Sequence, residues 1–277
     1  MDLKSLVDPI VALAEDAGRA ILEVYSTDFH VQSKDDESPL TQADLASHRW
    51  IEAGLRSLTP DIPIISEESG LPDFEERGAW KKYWLIDPLD GTKEFVARNG
   101  EFAVMMGLAI DGASVLGVVY QPVTDKLYAG IVGQGATLEQ HGVSRELRVS
   151  EVADPQKLRL VVSRSHRNRA VDRVVSKLGI KEEKQTGSVG LKAGLIAERQ
   201  ADVYLHISDK SSMWDACGPE AVLRAAGGRF TDMAGNPYHY GGTDMRNRSG
   251  ILACNAAAFD AVLPVAKKAA RAIGLIE

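Results

Sequence analysis

Between residues 102 and 138 the chain changes rhythm, and no other stretch limits the fold as strongly. Four apolar runs, "FAVMMGLAI", "SVLGVVYQ", "KLYAGIV" and "GATLE", are separated by Asp-Gly, Pro-Val-Thr-Asp and Gly-Gln-Gly. Apolar runs of this length joined by such turn sequences predict an antiparallel meander. Ahead of it, apolar residues from Leu3 to Val24 keep helical spacing, which predicts an amphipathic helix. A polar loop, "STDFHVQSKDDESP", follows, and then a helix from Thr41 that carries Leu45, Ile51, Leu55 and Leu58. "IPIISEESG" and "YWLID" read as short strands ending in acids. After the meander, the charged residues 144–156 read as a connector. The remainder alternates: strand "LRLVVS", helices near 170–178 and 191–198, strand "DVYLHI", helix "WDACGPEAVLRAA", strands "GRFTDM" and "GILACN", and a closing helix over 256–273. That order predicts layered α and β structure rather than a regular dinucleotide-binding unit, and neither GxGxxG nor GxxxxGK[ST] occurs.

A chain of 277 residues suits one domain made of two packed halves, roughly 1–150 and 151–277. A chain this long buries roughly three quarters of its unfolded surface, so it needs no disulfide staples. Cys217 and Cys254 form no CxxC pair and read as core filler, in keeping with a reducing cytoplasm. The N-terminal segment has no signal-peptide layout, and no apolar run reaches 18 residues. A cytoplasmic protein is expected, with weak attachment to the inner membrane face left open, as monomer or homodimer. The net charge of −7, with no basic tract, argues against a nucleic-acid partner. An anionic ligand would need cations supplied locally.

Four short stretches are rich in acids and turn residues: "SPLTQAD" (residues 38–44), "SEESG" (66–70), "DPLDGT" (87–92) and "WDACGPE" (214–220). In "DPLDGT", Asp87 precedes a proline, which favours extended backbone and ends a strand there. Pro88 sets a sharp exit, Asp90 returns near Asp87, and the Leu89 carbonyl is freed from the sheet. Two carboxylates and a loose carbonyl suit a hard cation such as Mg²⁺. Gly91 and Thr92 would offer backbone N–H groups to an anion at a helix start. Each stretch also has a plainer reading. Asp-Pro and Asp-Gly are common turn dipeptides, Glu67 could be solvated surface, Asp215 could be an N-cap, and Thr41 with Asp44 fits a capping box. Were the stretches to converge, Glu67, Asp87, Asp90 and Asp215 would share one cleft. At ~4 Å and an effective dielectric of ~20, each like-charged pair there costs about 4 kcal/mol, which bound divalent cations would offset.

These stretches, in this order along nearly the whole chain, resemble the motifs of the inositol monophosphatase superfamily of metal-dependent, lithium-sensitive phosphatases. "SPLTQADLASHRWIEAGLRSLTPDIPIISEE" and "DPLDGTKEFVARNGEFAV" are closer to its 3′(2′),5′-bisphosphate nucleotidase branch. The resemblance implies an α/β/α/β/α sandwich with two sheets. It implies that Glu67, Asp87 and the Leu89 carbonyl hold one Mg²⁺, that Asp87, Asp90 and Asp215 hold a second, and it allows a third, weaker ion near Glu67. Thr92 and Asp44 would orient the attacking water, Glu67 or another ligand would accept its proton, and the Gly91 and Thr92 amides would grip the phosphate. "SRSH" and "GSVGLK" resemble nucleotide-binding stretches, which assigns Ser188, His166 and Lys192 to the substrate. A surface histidine and a solvated helix lysine are the plainer readings of the last two.

The chain also departs from the pattern. "GSVGLK" is spaced slightly differently from the usual "GSSLK", His206 stands where some family members carry arginine, and "SDKSSMWD" lacks the glutamate with which inositol enzymes hold sugar hydroxyls. That last stretch contains Lys210, which suits a second phosphate. The expected activity is Mg²⁺-dependent removal of the 3′-phosphate from adenosine 3′,5′-bisphosphate, in support of sulfate assimilation. The alternatives are hydrolysis of inositol 1-phosphate or another small monoester and, from a different class, a non-catalytic nucleotide sensor.

Overall fold

The computed structural model describes residues 1–33, 39–165 and 167–277. The first half opens with helix α1 (Lys4–Tyr25), the short antiparallel pair β1 (Val31–Ser33) and β2 (Pro39–Thr41), and helix α2 (Gln42–Leu58). Then come β3 (Ile64–Ser66), α3 (Phe74–Arg77), β4 (Lys82–Asp90) and α4 (Thr92–Val96). The meander follows as β5 (Ala103–Ile110), β6 (Ala113–Gln121), β7 (Lys126–Ile131), β8 (Gly135–Gln140) and β9 (Val143–Leu147). Strands β3 to β9 form one seven-stranded sheet in chain order, antiparallel except for the parallel β3–β4 pair.

The second half contributes β10 (Arg159–Ser163), α5 (Arg169–Leu178), β11 (Glu182–Thr186), α6 (Val189–Ala197), β12 (Val203–His206), α7 (Trp214–Ala225), β13 (Arg229–Thr231), β14 (Ile251–Cys254) and α8 (Phe259–Arg271). Its five strands run in the order β11-β10-β12-β14-β13. Helices α1 and α2 pack together on one face of the large sheet, α6 and α7 lie between the two sheets, and α5 and α8 cover the outer face of the small one. This is the α/β/α/β/α sandwich that the resemblance implied. Each interlayer space has its own apolar core, such as the α1 stripe Ile10, Leu13, Ala14, Ala17 and Ile21 against the large sheet. Both cysteines are buried within these cores.

The close seating of α7 has a sequence cause. A Cβ on Gly117 of β6 would come within 2.1 Å of the Gly218 carbonyl oxygen, and one on Gly107 of β5 within 2.5 Å of the Gly218 amide. Backbone therefore rests on backbone, which fixes the depth at which the first turn of α7 enters the cleft. Helix α4 is anchored by Phe95, whose ring lies 5.0 Å from Tyr25 and 5.2 Å from Phe102 between centroids. Burial of such a ring contributes about 1.5–3 kcal/mol.

The structure departs from the sequence reading at the sheet edges. Strand β9 occupies part of the expected connector, and β11, "EEKQT", went unrecognised. Both are edge strands with four exposed residues followed by one buried, so the alternation that marks a half-buried strand is missing. Strands β1 and β2 lie within or beside the expected polar loop, whose residues 34–38 fall outside the described residues. Helix α2 starts at Gln42 with Thr41 as its cap, and it buries Ile51 and Leu55 but leaves Leu45 and Leu58 exposed. The closing helix begins with a separate 3-10 turn, Ala256–Ala258.

Candidate active site

The cleft is organised around the C-terminal end of β4. Asp87 pairs with Met105 and Asp90 with Ala103, so β4 carries one residue more than β5 between these points and bulges at Pro88 and Leu89. Proline is tolerated there because a bulged residue owes no N–H to the ladder. The freed Pro88 carbonyl accepts from Ser47 Oγ at 2.7 Å. Asp87 is buried, and its Oδ1 accepts from the Leu89 amide at 3.0 Å.

Three carboxylates meet at this corner. Glu67 follows β3, and its amide donates to the Ile86 carbonyl of β4 at 3.1 Å. Asp215 enters from the first turn of α7, with its Oδ2 accepting from the Ser212 amide at 2.8 Å. Glu67, Asp87 and Asp215 each offer a ligand atom within 4.8 Å of the others, and among the described residues they form the one such group. An all-oxygen, multiply anionic donor set fits a hard divalent cation. Asp215 is not the N-cap of α7, a position that Met213 takes.

Thr92 and Asp44 stand beside this corner. The Asp44 Oδ2 accepts from both the amide and the hydroxyl of Thr41, at 2.8 and 2.7 Å, which completes the capping box of α2. The Asp44 Oδ1 lies 3.3 Å from Thr92 Oγ1, which is also 3.3 Å from the Leu89 carbonyl oxygen. The cap and the cross-cleft pair therefore coexist in one carboxylate. Gly91 turns the chain with φ 98°, and Thr92 opens α4.

Asp90 faces the opposite wall. Its Oδ2 accepts from Ser188 Oγ at 2.6 Å and from the Val189 and Gly190 amides, so it closes the N-terminus of α6. Burial pushes its carboxyl above the usual range, and Lys192 and the α6 donors act against that shift. Ser188 sits at φ 49°, and its hydroxyl both donates to Asp90 and accepts from the Leu191 amide. Lys192 is buried rather than solvated. Its ammonium donates to the Gly187 and Ser188 carbonyls at 3.0 and 2.6 Å and lies over the Tyr204 ring. Burial lowers its pKa to about 8, against the raising fields of Asp90, Glu94 and Glu101.

A cavity of about 170 Å³ joins the two walls and is lined by Asp90, Thr92, Ser188, Lys192, Lys210 and Asp215 among others. His206 also lines it, as does Gly91, while Lys210 lies at its exposed rim. Glu67 and Asp87 belong to the triad rather than to this cavity's lining. His166 lies outside the described residues.

Sequence reasoning missed a second acidic layer. Glu94 of α4 lines the cavity and accepts from Ser165 Oγ at 2.6 Å. Glu101 accepts from Arg164 at 2.9 and 2.7 Å and from the Gly187 amide at 2.8 Å. Burial works to raise the Glu101 pKa, but these donors outweigh it and the net shift is downward. The only signal for Glu94 was its place in "GTKEF", which carries no mark of its partners.

A two-sheet sandwich whose cleft gathers a hard-cation donor set next to a buried ammonium is the frame of a phosphate-handling enzyme. The chain belongs to the inositol monophosphatase family, whose pattern it matches over residues 2–270. It is 43% identical over 239 residues to the 3′(2′),5′-bisphosphate nucleotidase CysQ of Escherichia coli K12, covering 85% of this chain and 94% of that protein. The CysQ of Aggregatibacter actinomycetemcomitans is 33% identical over 235 residues. Among solved structures, CysQ from Bacteroides thetaiotaomicron superposes with a TM-score of 0.76 at 32% identity, covering 91% of this chain and 98% of that one. An inositol monophosphatase from Thermotoga maritima shares the fold with a TM-score of 0.81 at 22% identity. Among the described residues, no helix is long and apolar enough to cross a membrane.

Proposed function

We propose that this chain is a 3′(2′),5′-bisphosphate nucleotidase that hydrolyses the 3′-phosphate of adenosine 3′,5′-bisphosphate to AMP and phosphate. The observation that carries this reading is the pairing, in one cleft, of the Glu67–Asp87–Asp215 corner with the Thr92–Asp44 contact. The strong likeness to CysQ proteins supports the choice of substrate. The cellular role would be clearance of an inhibitory by-product of sulfate assimilation in the cytoplasm.

In this reading Glu67, Asp87 and the Leu89 carbonyl hold one Mg²⁺, and Asp87, Asp90 and Asp215 hold a second, with a third, weaker place near Glu67. Bound there, Mg²⁺ supplies Lewis acidity toward phosphoryl oxygens, acidifies water and stabilises the charge developing on the departing ribose oxygen. Thr92 donates its single hydroxyl proton to Asp44, which leaves its oxygen lone pairs to accept from the attacking water and to aim it. Asp44 is buried and held by Thr41, which fixes the position of the acceptor offered to that hydroxyl. Glu67 receives the water proton. The Gly91 and Thr92 amides grip the scissile phosphate, Lys192 and Ser188 shape the wall facing it, and Lys210 and His166 meet the nucleotide's distal phosphate.

The test is phosphate release from adenosine 3′,5′-bisphosphate and from inositol 1-phosphate, measured side by side with Mg²⁺, with and without Li⁺. Faster, lithium-inhibited release from the nucleotide is expected. A wide preference for inositol 1-phosphate would overturn the substrate while keeping the metal corner. Ligand binding without turnover of either compound would favour a sensor.

A further inference from the structure

The cavity contains a carboxylate that this mechanism does not use. Glu94 stands two residues beyond Thr92, on the same short helix, and lines the same cavity. It is only 5% exposed. Among the described residues, the one hydrogen bond to its carboxylate comes from Ser165 Oγ, at 2.6 Å to Oε1. Its stem is pinned from the other side: a Cβ on Gly187 would fall 2.5 Å from Glu94 Cγ and 2.9 Å from Cδ. Two loops of the second half, after β10 and after β11, thus hold one side chain of the first between them, the preorganisation that a recognition group needs.

A carboxylate beside a phosphate site is costly unless it faces a donor, because it repels the anion and accepts hydrogen bonds only. A bisphosphorylated nucleoside offers few donors, namely a free ribose hydroxyl and the exocyclic amine of the base. The hydroxyl is on the carbon next to the one that carries the scissile phosphate, and Glu94 lines the same cavity as Thr92, whose amide the functional reading sets against that phosphate. The base lies on the far side of the sugar. We infer that Glu94 is a specificity-determining residue that accepts a hydrogen bond from the hydroxyl vicinal to the scissile phosphate, the ribose 2′-hydroxyl when the 3′-phosphate is removed. This rests on the functional reading above and adds the group by which the ribose is chosen. It also places a hydroxyl acceptor on α4, in a chain whose "SDKSSMWD" stretch has no glutamate to serve that purpose.

A site built around a substrate hydroxyl rejects the analogue lacking it, since the acceptor is then left buried and unpaired. The unmodified enzyme should therefore turn over adenosine 3′,5′-bisphosphate with a kcat/KM about tenfold to a hundredfold above that for the 2′-deoxy analogue, the range expected for one charge-assisted hydrogen bond. In Glu94→Ala that ratio should fall to within about twofold of unity, chiefly through loss on the ribonucleotide. Glu94→Gln, which keeps the shape and one acceptor oxygen, should give an intermediate ratio, and it carries the test should the alanine variant fail to fold. A wholly structural role for Glu94 would lower both activities together and leave the ratio unchanged, which would overturn the inference. So would an unmodified enzyme that does not distinguish the two sugars. A loss that instead follows the base amine, read with inosine 3′,5′-bisphosphate, would overturn it as well. Failure to hydrolyse any of these nucleotides, with inositol 1-phosphate turned over, would sink the functional reading itself, and with it this inference.

Discussion

Asp87 and Asp90 stand three residues apart at the end of one strand, and the fold gives them different surroundings. Asp87 is buried at the corner it shares with Glu67 and Asp215, where three acids from three separate elements crowd within 4.8 Å. Asp90 lies past the bulge and turns to the α6 wall, where its Oδ2 collects Ser188 Oγ and two helix amides. The first region concentrates like charge and gains from a cation. The second surrounds a carboxylate with donors and sets a buried ammonium behind it. One inserted residue in β4 separates a carboxylate crowded by two other acids from one whose Oδ2 also closes a helix.

The sharpest way to break this contrast is Asp87→Asn. Turnover should drop on the order of a thousandfold, comparable to loss of a principal electrostatic group in a preorganised site. Yet the variant should be no less stable than the parent in EDTA, because one charge has left a crowded corner. Addition of Mg²⁺ should raise the melting temperature of the parent, as any ligand selective for the native state does, and should raise that of the variant much less. A variant that melts lower in EDTA and still responds fully to Mg²⁺ would mean that the corner is not the metal centre.

On the other wall the buried ammonium of Lys192 dominates the response to pH. Its folded-state pKa of about 8 lies below its ordinary 10.5, because burial penalises the charged form. The folded state therefore releases this proton earlier than the unfolded state does. Between about pH 8 and 10.5 the unfolded chain binds more protons, so this group's contribution to stability rises with pH across that window and is lost as pH falls through about 8. The full change is at most about 3 kcal/mol. Denaturant unfolding of the parent and of Lys192→Met across this range should show the parent's stability gaining on the variant's as pH rises. Parallel pH profiles would show that the ammonium is not desolvated.

Each stretch of the corner carries a local signal, but that the stretches meet followed from the resemblance and not from their spacing. "DPLDGT" marks the bulge by its proline, and "SEESG" and "WDACGPE" place acids directly at the end of a strand and the start of a helix. The layer order followed from apolar periodicity in the interior strands, which alternate or are wholly buried. The α6 wall was less legible. Lys192 reads as a surface lysine until α6 is known to lie between two sheets, since burial there comes from tertiary stacking that a short apolar helix does not announce. The spacing in "GSVGLK" places Ser188 and Lys192 one turn apart, so the ammonium folds back under its own helix cap. Glu94, Ser165 and Gly187 become neighbours only when the ends of β10 and β11 reach α4. The absence of a Cβ on Gly187 means nothing until Glu94 is known to lie against it. Charged edge strands such as β9 and β11 hide for the opposite reason: exposure on both faces erases the alternation on which strand reading depends.

The smallest effect probes the second region alone. Asp90→Ala removes the acceptor that closes the α6 N-terminus and leaves the Val189 and Gly190 amides and the Ser188 hydroxyl to find other partners. Loss of such a cap costs about 1–2 kcal/mol, lowered here in part because a buried negative charge is removed with it. In a chain of this length that shifts the melting temperature down by only about 2–4 °C. The measurement belongs in EDTA, where any contribution of Asp90 to ion binding is silent and only its hold on α6 is read. Asp87→Asn and Asp90→Ala should then move in opposite directions or differ by a few degrees, although both remove one negative charge from the same strand. Equal melting temperatures for the two metal-free variants would erase the distinction between the corner and the wall. A larger loss in Asp90→Ala than in Asp87→Asn would show that, past the bulge in β4, Asp90 carries a structural duty at α6 that Asp87 lacks, beside any ion it holds.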